Sequence, residues 1–218
     1  MRGFQATDDG VNFTKVAACC KHFYAYSFEG ADGFNRHNFD AIVSERDLAE
    51  TYMPGFQACL AAQPEQVMCS YNAVNGVPTC LDDHAQNGWL RGELGFGGLI
   101  VSDCDAIGDA WSSHHYSANA SQAAAQGIQA GCDLDCGPTY DQHNLQLALD
   151  EGLMTEDDLD LAIRRTIRMR FNLGLFDKAE DVPYTDIGAE VRRSRRRVLH
   201  GSSSLSAYLA FLFVFPRS

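Results

Sequence analysis

The chain predicts an α/β fold built on a parallel sheet, open or closed into a barrel, and two observations carry that expectation. Short apolar runs at 16–20, 67–69 and 99–101 show little alternation and each ends in a polar cluster; such runs suit strands buried on both faces, as in parallel sheets. Helical patterns lie between the runs, and strands alternating with helices at intervals of about thirty to fifty residues build right-handed βαβ units.

The run 16–20 opens the sheet. Ser44 then suits an N-cap, with acids in the first turn of a helix that carries Leu48, Tyr52, Phe56 and Leu60 at four-residue spacing. After the run 67–69, a second helix is expected over about 82–94, stopping at Gly95, because glycine tolerates the left-handed conformation that closes helices. The run 99–101 precedes an Ala-rich helix over about 119–129 and a fourth strand near 127–134. Thr155, with Glu156, Asp157 and Asp158 behind it, resembles another capped start, continued by Leu159, Ile163, Ile167 and Phe171 as far as Gly174.

A hydrophobic fraction of 45% with 21% charged residues places the chain among folded domains rather than disordered ones. The formal charge is −12, and six of the 17 basic residues, Arg192, Arg193, Arg195, Arg196, Arg197 and Arg217, fall after Val191, where no acid occurs. The body up to Val191 therefore holds eleven basic residues against 29 acidic ones, −18 net. Such a body repels phosphate backbones, which argues against nucleic acid and suits a neutral ligand such as a sugar. Eight cysteines are many for a cytosolic chain, and two sequons, at Asn12 (NFT) and Asn119 (NAS), would accept glycans on a secretory route. No apolar signal stretch follows Met1, so the expectation is a cytosolic chain or one lacking its true beginning. No membrane span is expected either, because the apolar stretch 205–215 falls short of the about 20 residues that a span takes.

In an open sheet or a barrel, ligands bind at the carboxyl ends of the strands. The residues there are Lys21 and His22 after the first run, Ser70, Tyr71 and Asn72 after the second, and Ser102 and Asp103 after the third. A cation, an imidazole, a phenol, an amide and a carboxylate on one face suit a polyhydroxylated ligand, which needs several donors and acceptors beside an aromatic edge. Each has a plainer reading too: Asp103 as a cap for the following helix or turn, Lys21 and His22 as an ordinary loop pair, Tyr71 and Met68 as core. Cys19, Cys20, Cys132, Cys136, His114 and His115 are zinc-ligand types, but their spacings form no recognised set, so no metal is expected. The cysteines are expected as disulfides or buried thiols, with the pairing left open.

Four segments then carry a resemblance: VAACCKHF at 16–23, VMCSYNAVNGVPTC at 67–80, LRGELGFGGLIVSDCDAI at 90–107 and AGCDLDCG at 130–137. In this order they look like glycoside hydrolase family 3, and the cysteines are most similar to its β-xylosidase and arabinofuranosidase branch. The resemblance implies a partial TIM-type (β/α) barrel, the C-terminal part of the family's barrel domain, over 1–177. It also implies the start of an interdomain linker over 178–191 and an unrelated basic and apolar tail over 192–218.

In the site, the resemblance implies Asp103 as nucleophile, Lys21 and His22 as hydrogen-bonding partners of sugar hydroxyls, and Tyr71 as the residue shaping the pocket beside the nucleophile. The implied activity is removal of terminal β-linked xylose from an oligosaccharide, without a cofactor, by a double displacement that retains configuration. Lys21 would help to keep Asp103 ionised. The acid/base usually comes from a second α/β sandwich domain, expected to be missing here together with the early barrel strands. Glu29, Asp105, Asp109, Asp133 and Asp135 are conceivable substitutes, among which nothing selects. The alternatives are an exo-β-glucosidase and a non-catalytic sugar-binding remnant. Intact relatives of this branch are expected to be secreted.

Overall fold

The computed structural model describes residues 2–5 and 11–185. The chain divides into two compact units, 1–175 and 176–218. The segment expected as a linker, 178–191, is described as far as 185 and holds a short 3-10 turn, Ala179–Asp181; the tail 192–218 lies outside the described residues.

The first unit is organised by a parallel sheet of three strands, β1 (Cys19–Phe23), β2 (Gln66–Cys69) and β3 (Leu99–Ser102), paired in that order. Val67, Cys69, Leu99 and Ile100 are buried, so both faces are covered, as unalternating apolar runs imply. β1 begins later than the run 16–20 suggests and takes in Lys21 and His22 themselves. The peptide bonds Lys21–His22 and Phe23–Tyr24 are cis, and the register against β2 shifts between Cys20 and Phe23. At the fourth position the sheet is marked only by a parallel bridge from Val101 to Leu134. The strand expected over 127–134 is corrected accordingly: Ala-rich sequence carries the preceding helix on to Ala130, and Gly131, at φ +101°, closes it in the left-handed region.

Among the described residues, one helix follows each of β1 and β2 and four follow β3. The first, α1, is continuous through Glu45–Asp47, Leu48–Tyr52 and Met53–Leu60. Ser44 caps it by accepting a hydrogen bond from the Asp47 N–H. Its middle segment takes wide turns, with the Met53 N–H donating to the Leu48 carbonyl. Pro54, which has no N–H to donate, follows at once, so the wide turn lies where the regular ladder loses a donor. The second, α2 (His84–Glu93), is also wide-turned and gives way to Gly95. After β3 come α3 (Ala106–Ser112), α4 (Ala120–Ala130), α5 (Gln142–Asp150) and α6 (Glu156–Asn172). Thr155 and Asp158 form a reciprocal capping box at the start of α6. Its apolar stripe is covered only in part, for Ala162 is the buried residue while Ile163 and Phe171 stand 48% and 56% exposed.

Three disulfides join elements across the sheet: Cys20–Cys59 ties β1 to α1, Cys69–Cys80 ties β2 to the turn Thr79–Leu81, and Cys104–Cys136 ties the segment after β3 to the one after Leu134. Cys19 and Cys132 are free thiols. Closing such loops typically stabilises a fold by about 2–4 kcal/mol each.

A buried ion cluster completes the frame. Asp133 Oδ2 accepts from Arg91 Nη2 at 2.7 Å and from the Ile100 N–H at 2.9 Å, while Oδ1 accepts from Arg165 Nη1 at 2.9 Å. One carboxylate thereby links α2, β3 and α6. Asp133→Ala is expected to lower unfolding stability by about 3–5 kcal/mol, because it strands two guanidinium charges in a dry site. A urea titration that showed less than about 1 kcal/mol of loss would contradict this role.

Candidate active site

The three strands end at one level. The Ser70 N–H donates to the Phe23 carbonyl at 2.8 Å and the Asp103 N–H donates to the Cys69 carbonyl at 3.0 Å, so each chain leaves the sheet on its neighbour's last acceptor. Asp103 is the first residue after β3 and is 9% exposed. His22 Nε2 stands 3.4 Å from Asp103 Oδ2, and the Tyr71 phenol lies near enough to the same carboxyl for the Asp103 charge to act on it. Lys21 is exposed on β1, and its charge acts on His22 and Cys19. Asp103, His22 and Tyr71 are therefore brought together, with Lys21 beside them. The capping alternative for Asp103 is also present, since Oδ1 accepts from the Cys104 N–H at 2.9 Å.

Burial raises the Tyr71 pKa to about 12, and the Asp103 charge adds to the rise. The phenol thus keeps its proton and can donate to a carboxylate. Burial likewise moves His22 below its ordinary value, opposed by the Asp103 charge and reinforced by Lys21. A neutral imidazole offers one donor and one acceptor, which suits a hydroxyl ligand better than an imidazolium does.

A wall beside these residues comes from the segment between β1 and α1. Tyr26 packs near Tyr71 with ring centroids 6.2 Å apart, His37 lies 4.5 Å from the same ring, and the Arg36 guanidinium sits 5.0 Å over it. His37 Nδ1 is 2.6 Å from Asp109 Oδ2 on α3, and His114 Nε2 is 2.8 Å from the Tyr71 carbonyl. Sequence reasoning passed over Tyr26, Arg36 and His37. The available signal was length, because a connection of some twenty residues before Ser44 is longer than most loops in compact domains and such loops carry function.

Two expected ligand groups are withdrawn. Ser70 and Asn72 are buried, and their side chains are spent inside the protein: Ser70 Oγ donates to Asn72 Oδ1 at 2.7 Å, and Asn72 Nδ2 donates to the Ala73 carbonyl at 3.0 Å and the Tyr24 carbonyl at 3.3 Å. They hold the end of β2 in place and leave Tyr71 as its outward group. Three of the conceivable acids have fixed occupations. Asp133 is in the ion cluster, and Asp135 accepts from Ser102 Oγ and from the Thr139 and Tyr140 N–H groups. Asp109 holds His37 and Ser113. Asp105 sits at φ +69° against Gly137, where a Cβ would come within 3.2 Å of the Asp105 backbone. Glu29 is exposed and lies 3.8 Å from Arg36.

A family model described as glycosyl hydrolase family 3 N terminal domain matches residues 1–169. The chain belongs to glycosyl hydrolase family 3. A protein described as probable exo-1,4-beta-xylosidase bxlB from Aspergillus clavatus is 47% identical over 178 residues, covering 80% of this chain and 23% of its own length. Beta-D-xylosidase 1 of Arabidopsis thaliana is 42% identical over 189 residues, covering 86% of this chain and 24% of its own. The family 3 chain thus spans about a quarter of the length of these relatives.

Among solved structures of the family, the exo-beta-xylosidase XlnD in complex with a xylobiose aziridine probe superposes with a TM-score of 0.84 at 32% identity, over 90% of this chain and 26% of that one. A beta-glucosidase from Listeria innocua in complex with isofagomine gives 0.73 at 31% identity, over 86% and 26%. With the parallel sheet and its covering helices, these neighbours make the fold a partial TIM-type barrel.

The electrostatics of the site can be checked directly. In a titration followed by imidazole resonances, His22 is expected to titrate below 6.5 and to move lower still in Asp103→Asn, because that change removes the carboxylate that holds the imidazolium. An upward move in the variant would contradict the arrangement.

Proposed function

We propose that this family 3 chain carries the nucleophile face of a retaining β-glycosidase that releases terminal β-linked xylose from oligosaccharides. The observation that supports it most is the Asp103 carboxylate at the exit of β3, flanked by the His22 imidazole at 3.4 Å and the Tyr71 phenol. Asp103 attacks the anomeric carbon as the leaving-group oxygen departs with a proton from an acid, and a glycosyl ester forms. Water then attacks the same carbon while the acid, now deprotonated, takes one of its protons, the ester bond breaks, and the sugar leaves with its configuration retained. The Tyr71 phenol, which stays protonated, holds the carboxylate in line between attacks. Lys21 and His22 hydrogen-bond ring hydroxyls and so fix the sugar over the nucleophile. The chemistry is done by carboxylates and calls for no cofactor.

A retaining mechanism places its two carboxyl groups about 5–5.5 Å apart. Asp109, Asp133 and Asp135 are engaged elsewhere, and we assign the second carboxyl to a further α/β sandwich domain of a longer protein, in keeping with relatives about four times as long as the matched region. The xylose reading is favoured by relatives described as xylosidases. A glucose reading is the second choice, favoured by the beta-glucosidase among the structural neighbours. The three disulfides suit a secreted protein.

Treatment with a mechanism-based fluoroxyloside followed by peptide mass spectrometry is expected to find the sugar on Asp103. Aryl β-xyloside hydrolysis, measured beside aryl β-glucoside, is expected to fall by roughly 10³-fold or more in Asp103→Asn. A label on another residue, or unchanged turnover in the variant, would sink the assignment.

A further inference from the structure

The sugar-cleaving reading leaves the sequon at Asn119 unused, and we propose that Asn119 is a site of N-linked glycosylation, filled on the nascent chain before the Cys104–Cys136 bridge closes around it. The proposal stands independently of the reaction assigned to Asp103.

Asn119 is exposed and extended, at φ −159° and ψ 177°, as the residue that caps α4. Its Oδ1 is occupied on both sides, accepting from the Gln122 N–H at 2.8 Å and from Ser121 Oγ at 2.9 Å. Its Nδ2 donates to no group among the described residues, and Nδ2 is the atom a glycan takes. A cap needs only the side-chain oxygen. Replacing one amide hydrogen by a sugar therefore leaves the eleven-residue helix capped as before, and the modification costs the fold no hydrogen bond.

The position also suits a large hydrophilic group. α4 runs back across the sheet to feed the parallel bridge at Leu134, so its first residue stands on the face where the strands end. Trp111 and Tyr116, 42% and 45% exposed, lie on the same connection. A glycan there stands at the rim of the face while Asp103 stays inside it.

Timing follows from the third residue of the sequon. Ser121 is 2% exposed and its hydroxyl is turned onto Asn119, so an enzyme that must read both side chains cannot do so once α4 has formed. Asn119 also lies within the loop that Cys104 and Cys136 close. Folding and oxidation therefore compete with the transfer. In that step Nδ2 bonds to the anomeric carbon of an oligosaccharide carried on a polyprenyl diphosphate. The carbon–oxygen bond to the diphosphate breaks, the diphosphate leaves with the electron pair, and Nδ2 gives up one proton.

The test is synthesis of the whole chain behind a secretory leader in eukaryotic cells, with a reporter sequon placed between leader and Met1. Peptide mass spectrometry after release by a glycan-removing amidase should find Asn119 converted to Asp. Ser121→Ala should abolish the modification. Asn119→Asp should abolish it while leaving the thermal midpoint of the unglycosylated chain unchanged, since Asp caps as well as Asn. Dithiothreitol during synthesis should raise occupancy, and chain folded beforehand should accept no glycan from the purified transferase and its lipid donor. A filled reporter beside an unmodified Asn119, with and without reductant, would overturn the proposal. Transfer onto the folded chain would overturn its timing.

Discussion

Asp133 joins elements that have little else in common. Its two oxygens take the Arg91 guanidinium from α2, the Arg165 guanidinium from α6 and the Ile100 N–H from the middle of β3. Burial raises its pKa, with the two cations and the N–H opposing, and burial likewise lowers that of Arg91. Such a cluster adds little net stability over an apolar replacement of the same shape. What it adds is position: an apolar group could not satisfy the Ile100 N–H, nor the Gly98 and Gly131 carbonyls that accept from Arg91. It fixes where α6, whose apolar stripe is only partly covered, lies against the sheet.

From that anchor the site follows by short steps. Asp133 and Leu134 both donate N–H groups to the Ile100 carbonyl, which sets the chain down parallel to β3. Two residues on, Asp135 accepts from Ser102 Oγ, the same oxygen accepts from the Cys136 N–H, and Cys136 is bonded to Cys104. Asp103 sits between Ser102 and Cys104. The carboxylate is thus held by neighbours on either side that are each tied to the fourth strand position, and it faces His22 and Tyr71 from there.

Much of this was legible in sequence, for reasons that differ by element. Unalternating runs marked β2 and β3 almost to the residue, because strands covered on both faces have no polar side to blur their ends. The caps Ser44 and Thr155 were legible because capping depends on one side chain and its own next turn. The fourth strand was not, because Gly127 and Ile128 suit a strand as well as a helix, and the Asn119 cap with its Ala run decided the matter. Asn72 was misplaced for a different reason: an amide after a strand can face ligand or backbone, and the nearby Tyr24 carbonyl, brought by tertiary packing, turned it inward. The wall of Tyr26, Arg36 and His37 escaped entirely, since aromatic and charged residues in a long loop carry no periodicity.

The distribution of carboxylates gives the site its asymmetry. Asp103 accepts from the Cys104 N–H at Oδ1, and His22 stands 3.4 Å from Oδ2. The other acids near this face have a different character. Asp109 is bound to His37 and Ser113, Asp135 is saturated by three donors, and Asp133 faces two guanidinium groups. Each of these three carboxylates thus has its oxygens committed to donors of the protein frame. The strand-end face thus keeps Asp109, Asp133 and Asp135 inside the frame and brings Asp103 to His22 and Tyr71.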